Sequence, residues 1–483
     1  MRHPKFTIRV SVTTLLCVIA GCAVGPNFSR PAAPRDKSYV NGGDPTTTAQ
    51  ANGTTQTFEP TAKLPADWWS LFRSSKINGV INEALTNNLS LQSAQASLRQ
   101  SQDLLRSGYG IFYPQVGGEF DATRQKFTPL KFGQNVQPSV FNLFTLSASA
   151  SYALDVFGGE RRLVEGLAAQ VDLQRNTERA TYLTLSANIA NAMIAQAAYR
   201  AEIEATEQLI KMQKRQVELA QVQARAGTVP YSTVLTLQSQ LDSYKASIPQ
   251  LQQKLDQTDD LLASLVGHTP AEWKAPRIDF AEITLPSNLP VRMPSDLTRQ
   301  RPDILEAEAT LHAASANIGV ATANMLPSFT LSADYGANNT SLGHLTAADA
   351  TFWGLAANVT APVFEGGTLW YKRKAAVDNY KETAALYRQT VLNAFAQVAD
   401  TLRAVEHDAE TLEAQEEALV AAQKALHLVQ ANFQAGLANY SDVLIADVQY
   451  HQARLADLQT IAVRYQDTVA LFAALGGGWW NAK

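Results

Sequence analysis

The chain has 483 residues, 40 of them basic and 44 acidic, for a net charge of −4. Without the N-terminal Arg2, Lys5 and Arg9 the balance is about −7, which speaks against a nucleic-acid surface. Apolar residues make up 46%, ordinary for a globular chain, and the only two cysteines, Cys17 and Cys22, both fall near the start.

The first elements are an export signal and an anchor. Arg2, Lys5 and Arg9 precede an apolar run from Val10 to Ala20, the layout of a signal peptide. The run is too short to cross a bilayer core of ~30 Å as a helix. It ends in Ile19-Ala20-Gly21-Cys22, a small-residue approach to a cysteine that resembles a bacterial lipobox. The alternative is an ordinary signal cut nearby with an incidental cysteine. On the lipobox reading residues 1–21 are removed and Cys22 carries a covalent lipid. The mature protein then has neither free thiol nor disulfide in an oxidising compartment. Ala23, rather than an aspartate, follows the lipidated residue, and by the same resemblance the address is the outer membrane. Residues 22–62 form the lipidated N-terminus and an extended tether, polar and rich in Pro, Gly and Thr.

Two repeats follow, 63–270 and 296–478, with a linker at 271–295 and a short tail at 479–483. "ARAGTVPYSTVLTLQSQL" (224–241) is echoed by "FQAGLANYSDVLIADVQY" (433–450). Gly227, Tyr231 and Ser232 recur 209 positions later as Gly436, Tyr440 and Ser441. "LDVFGG" (154–159) is echoed by "APVFEGG" (361–367), and "LLASLVG" (261–267) by "LFAALGG" (471–477). Consistent offsets at several places indicate an internal duplication.

Each repeat holds a pair of alternating strands, expected at about 114–126 and 142–157, then 327–340 and 351–364. Phe144, Leu146 and Tyr152 alternate with Thr145, Ser147, Ser149 and Ser151. Phe329 and Leu331 lie in the apolar phase of the third strand, Trp353 and Leu355 in that of the fourth. A period of two marks a sheet with one apolar and one polar face. A soluble sandwich would alternate in the same way; the lipid anchor and the ~10-residue lengths favour a membrane barrel. Each repeat also holds long helix. Residues 160–225 and 367–434 contain no proline, and each can reach roughly 100 Å at 1.5 Å per residue. Stripes such as Val234, Leu237, Leu241 and Tyr244 keep a seven-residue repeat, which specifies coiled-coil packing. Gly227 and Gly436 suit the left-handed residue that ends a helix, and Ser232 and Ser441 the cap of the next.

Four strands cannot close a barrel, and an open sheet edge has no water to satisfy it in a membrane. The chain must therefore oligomerise, and three copies are the smallest number that leaves a lumen. The fold class is α+β: a trimeric twelve-stranded transmembrane β-barrel continued by an α-helical periplasmic barrel.

"CAVGPNFSRP", "DWWSLFRSSKINGVINEALTNNLSLQSA", "RQRPDILEAEATLHAASANIGVATANMLPSFTLS", the two glycine turns and "LGGGW" resemble the TolC family of outer-membrane channel lipoproteins, nearest the OprM/NodT branch. The resemblance covers essentially the whole chain. It implies a homotrimeric duct that docks to a periplasmic adaptor and an inner-membrane transporter, of RND type, and exports drugs or other toxic molecules. It also places the turns at a closed periplasmic aperture that meets the adaptor. Asp442 matches one aspartate of the family's aperture ring. The position often held by a second aspartate is Ile445, and the next acid is Asp447, so the pattern departs toward one acidic ring beside an apolar one. Arg225, on the neighbouring turn, is the expected partner of Asp442, with Tyr440 beside them. The alternative is that Asp442 only favours its helix dipole.

Chemistry is otherwise scarce. No Ser/His/Asp set, P-loop or metal cluster stands at a recognisable spacing, so no enzyme and no cofactor beyond the lipid is expected. The six histidines after the signal, among them His312, His407 and His451, read as packing or solvated residues. The acidic run 406–417 reads as a solvated face, and Trp68 and Trp69 as packing rather than a carbohydrate platform. A self-contained diffusion porin and a structural envelope lipoprotein are the competing functions; the first leaves the helices unexplained, the second the strands.

Overall fold

The computed structural model describes residues 23–60, 62–128, 133 and 136–481. The signal segment and Cys22 lie outside the described residues, so the lipidation site rests on sequence.

Two series of six elements follow one order. The first is α1 (Ser75–Asn87), α2 (Leu89–Gly108), β2 (Gln115–Phe127), β3 (Ser139–Leu154), α3 (Gly159–Arg225) and α4 (Tyr231–Val266). The second is α5 (Pro294–Gln300), α6 (Pro302–Ala323), β5 (Ser328–Asn339), β6 (Thr351–Thr360), α7 (Thr368–Gln434) and α8 (Tyr440–Ala474). Helices α3 and α7 are each 67 residues long and start 209 positions apart. With no proline to remove a hydrogen bond, each runs unbroken. Local capping sets the shorter starts: Ser74 Oγ accepts from Ile77 N–H at the head of α1, and Asn88 Oδ1 from Leu91 N–H at the head of α2.

The described residues divide into two compact units. One comprises the chain to Pro31, Ser97–Gln174 and Ala307–Tyr387, and contains a four-stranded antiparallel sheet in the order β2-β3-β5-β6. Strands β2 and β6 each pair on one side only, so both edges are open. The other unit comprises Ala32–Ala96, Arg175–Glu306 and Arg388–Lys483. Its core gathers Trp68, Phe72 and Phe472, all fully buried, beside Tyr465. Trp69 is buried against Tyr182. The tryptophan pair is packing, as the sequence suggests.

The tether reading needs correction. Residues 23–60 are extended but fastened along their length. In the first unit Val24 N–H donates to Phe157 O at 2.9 Å, and Arg162 reaches Asn27 Oδ1 at 2.6 Å. Phe28 stacks on His312 at 4.3 Å, and Arg30 pairs with Glu308 at 2.7 Å. In the second, β1 (Thr57–Glu59) pairs in parallel with β4 (Asn288–Pro290). There the buried Arg464 donates to Gln56 Oε1, Ala51 O and Thr54 O at 3.0–3.1 Å. Pro/Gly/Thr-rich composition describes the backbone of this stretch but carries no trace of its distant partners.

Candidate functional site

The sheet is the first functional surface. Residues directly opposite one another on antiparallel strands share a face. Leu146 stands opposite Phe120 and Ala337, Tyr152 opposite Leu331, and Leu154 opposite Phe329. On the next strand Tyr335 meets Trp353 and Ala333 meets Leu355. The register therefore gathers the apolar phase of all four strands onto one face. Trp353 is 74% exposed, Leu355 76%, Leu146 54% and Leu331 43%, so the single chain has nothing to cover them. Phe144, Phe329 and Tyr152 are half-buried on the same face. Glu119, Asp121, Ser147, Ser149, Asp334 and Asn358 occupy the other. An apolar outer face and a polar inner one is the division a membrane barrel requires. Among the described residues no helix is long and apolar enough to cross a membrane.

The second surface is the pair of hairpin ends, α3–α4 and α7–α8. Gly227 and Gly436 adopt φ of 73° and 76°, the left-handed conformation their position predicts. Thr228 N–H bonds back to Gln223 O at 3.0 Å, and Leu437 N–H to Asn432 O at 2.8 Å, so both helices end in the same closed turn. The serines do not cap. Pro230 and Asn439 occupy the cap positions, which leaves Ser232 and Ser441 inside the first turn behind Tyr231 and Tyr440. At the second hairpin Asn439 and Asp442 form a reciprocal capping box, with Asn439 N–H donating to Asp442 Oδ2 at 3.0 Å. Arg225 is exposed and bonds Gln221 O at 3.3 Å. No ion pair joins it to Asp442 among the described residues of the chain. Tyr231, Leu437 and Ile445 are largely exposed.

Asp447 departs from the aperture expectation. It is 1% exposed, inside the helices rather than at a surface. Its Oδ2 and the Tyr244 hydroxyl face each other without a well-formed hydrogen bond, and Tyr440 donates to Gln216 Oε1 at 3.0 Å. Burial pushes the Asp447 carboxyl up to about 6 and the Tyr244 hydroxyl up to about 12, and raises that of Tyr440. The His451 ring, 5.0 Å from that of Tyr244, is held below its usual range by the same burial. The acidic run 406–417 is likewise not uniformly solvated. Asp408 is raised to about 7 by burial and by the neighbouring carboxyl of Asp467.

Two arginines were not singled out from sequence. Arg301, in the block "RQRPDILE", sends its guanidinium to Ala474 O at 3.0 Å, Ala394 O at 3.3 Å and the Gln397 side chain, tying α7 to α8. Arg464 fastens the 48–56 segment. An arginine amid the apolar stripe of α8 was the available signal.

A model of the family described as "Outer membrane efflux protein" matches residues 80–268 and 293–477, one stretch in each repeat. The chain belongs to that family. It is 28% identical to the toluene efflux pump outer membrane protein TtgC of Pseudomonas putida, over 99% of this chain and 96% of the relative. It is 26% identical to the cation efflux system protein CusC of Escherichia coli, over 95% and 96%. The solved outer-membrane channel OprN superimposes with a TM-score of 0.86 at 24% identity, covering 95% of this chain and all of that one. As an outer membrane efflux protein, the chain is an efflux channel of the outer membrane with its helical part in the periplasm.

Proposed function

We propose that three copies close the open sheets into a twelve-stranded barrel, forming the outer-membrane duct of a tripartite pump that exports drugs or other toxic small molecules. The observation that carries this reading is the register, which aligns Phe120, Leu146, Leu331, Trp353 and Leu355 on one face of a sheet with two unpaired edges. A bilayer leaves no water for those edges, so only other chains can satisfy them. The exposed hairpin ends, with Gly227, Gly436, Tyr231, Ser232 and Ser441, offer a docking surface for a periplasmic adaptor, and through it an inner-membrane transporter of RND type. Asp442 and the exposed Ile445 form the aperture, with Arg225 available to a neighbouring copy. The relatives' names include toluene and cations, so fold does not select cargo.

Cys22 carries the lipid. Ala23, the next residue, packs so closely on Gly158 that a Cβ there would meet its Cα at 2.5 Å. Gly158 lies between β3 and α3, so Ala23 sits at the base of the sheet. Channel recordings test the function. The purified protein is expected to conduct ions from a closed resting state, and Asp442→Ala to lengthen the open periods. A permanently open current would favour a diffusion porin, and no current at all a structural lipoprotein.

A further inference from the structure

The two hairpins meet where buried oxygens outnumber the donors that could satisfy them. Tyr440, at the start of α8, packs on the buried cluster Val217, Ala220, Val234, Leu237 and Leu241 of α3 and α4. Its hydroxyl donates to Gln216 Oε1 on α3 at 3.0 Å. Asp447 lies seven residues further on, two turns along the same face of α8. It is 1% exposed and faces the Tyr244 hydroxyl of α4. Asp447 Oδ2, the Tyr244 hydroxyl and Gln213 Oε1 on α3 are all buried with no hydrogen-bond partner among the described residues. Gln213 is fully buried, and its amide nitrogen is turned to Leu237 O at 3.5 Å, so the oxygen is its free atom.

Of these three groups only the Tyr244 hydroxyl has a hydrogen to give. An ionised Asp447 would add a buried charge and one more acceptor, whereas a protonated one brings its own O–H and no charge. The titratable groups around it are Tyr244 from α4, and Tyr440 and His451 from α8 itself. Helix α3 contributes the neutral Gln213 and Gln216, both at the Tyr440 hydroxyl. Among the described residues no cationic side chain from α3, α4 or α7 acts on the Asp447 carboxyl.

We propose that Asp447 is a proton-operated latch between the hairpins: protonated, it holds α8 against the first hairpin and the aperture closed; losing its proton to solvent, it releases α8 and lets the aperture open. This rests on the reading of the hairpin ends as the aperture. The carboxyl value of about 6 in the packed state falls on release toward the ordinary one near 4. That difference of about two units shifts the balance between latched and released forms by up to about a hundredfold as the pH rises.

Val217, 3% exposed in the cluster on which Tyr440 packs, supplies the probe site. Val217→Cys is introduced in the full chain, and its reaction with a neutral methanethiosulfonate is timed between about pH 5 and 8. The unsubstituted protein is the blank, and Ala220→Cys repeats the measurement on the same cluster. Each rate is divided by that of the same thiol with Asp447→Asn added, at the same pH. The division cancels the ionisation of the thiol and of His451. The ratio is expected to stay near one below about pH 5 and to rise about threefold or more by pH 8. Tyr244→Phe removes the one group that favours the ionised carboxyl, so the rise should move to higher pH. In bilayer recordings the open periods of the parent should lengthen over the same range, and those of Asp447→Asn should not. A flat ratio, including a thiol that stays unreactive throughout, would overturn the latch and leave the aperture reading intact. So would a rise that Tyr244→Phe does not move. A rising ratio beside a current that ignores pH would overturn the link between this contact and the aperture.

Discussion

Between about pH 4 and 6 Asp447 keeps a proton that an exposed aspartate would lose, because it is buried beside Tyr244 and Tyr440. Its folded value, about 6, lies above the ordinary carboxylate range near 4. Between those limits the folded state binds more protons than the unfolded one, so this residue's contribution to stability falls as pH rises through the window. Above pH 6 the cost is on the order of 2–3 kcal/mol. Asp447→Asn should therefore raise the thermal midpoint of the helices at pH 7.5, with the gain fading below pH 4. A shift of equal size at both pH values would show that the carboxyl's charge is not the cause. Helix geometry explains why the sequence misplaces this residue. Five positions beyond Asp442 is about 140° around a helix, so the two acids cannot share a face. What lies opposite Asp447 is Tyr244, 203 positions away, which no local pattern reports. Asp442 was legible from its turn, but its carboxylate is engaged by Asn439, a bond that the expectation of serine caps overlooked.

Strands and helices were legible because period and proline act locally. The alternation Phe144–Leu154 specifies two faces wherever the strand lies, and the structure gathers the matching phase of β2, β5 and β6 onto the same side. Leu146→Arg puts a charge on the membrane face, at roughly 2–4 kcal/mol near mid-bilayer. It is expected to deplete the assembled form on a semi-denaturing gel. Ser147→Arg, one residue on, falls on the opposite, polar face; on the proposed reading it should assemble normally while lowering conductance. Equal loss of assembly in both would mean that the phase is misassigned. The N-terminal stretch was illegible for the opposite reason. Its partners Arg162, His312 and Arg464 lie on helices more than a hundred residues away, and its own composition matches that of a free linker.

At the scale of the whole molecule the decisive feature is what one chain leaves undone. Its sheet buries no face and closes no edge, and a 10-residue β6 has one row of backbone groups with no partner in the chain. In hydrocarbon each such group costs several kcal/mol, far more than a single chain can tolerate. Duplication explains why the deficit is shared: two β-pairs give a four-stranded third of a ring, and three chains complete it. Native mass measurement should accordingly give three copies of a 52.5 kDa chain, less its signal and plus its lipid. Proline can locate the joint. Successive strand residues direct their N–H groups to opposite sides, so of Ala356 and Ala357 one points toward β5 and the other toward the free edge. Ala356→Pro and Ala357→Pro should then fail differently. One variant breaks the chain's own sheet and does not reach the membrane. The other folds its sheet, lacks a donor for the next chain, and gives trimers that separate at lower temperature or not at all in intact form. If both variants form trimers as heat-resistant as the parent, β6 is not the edge through which the copies join.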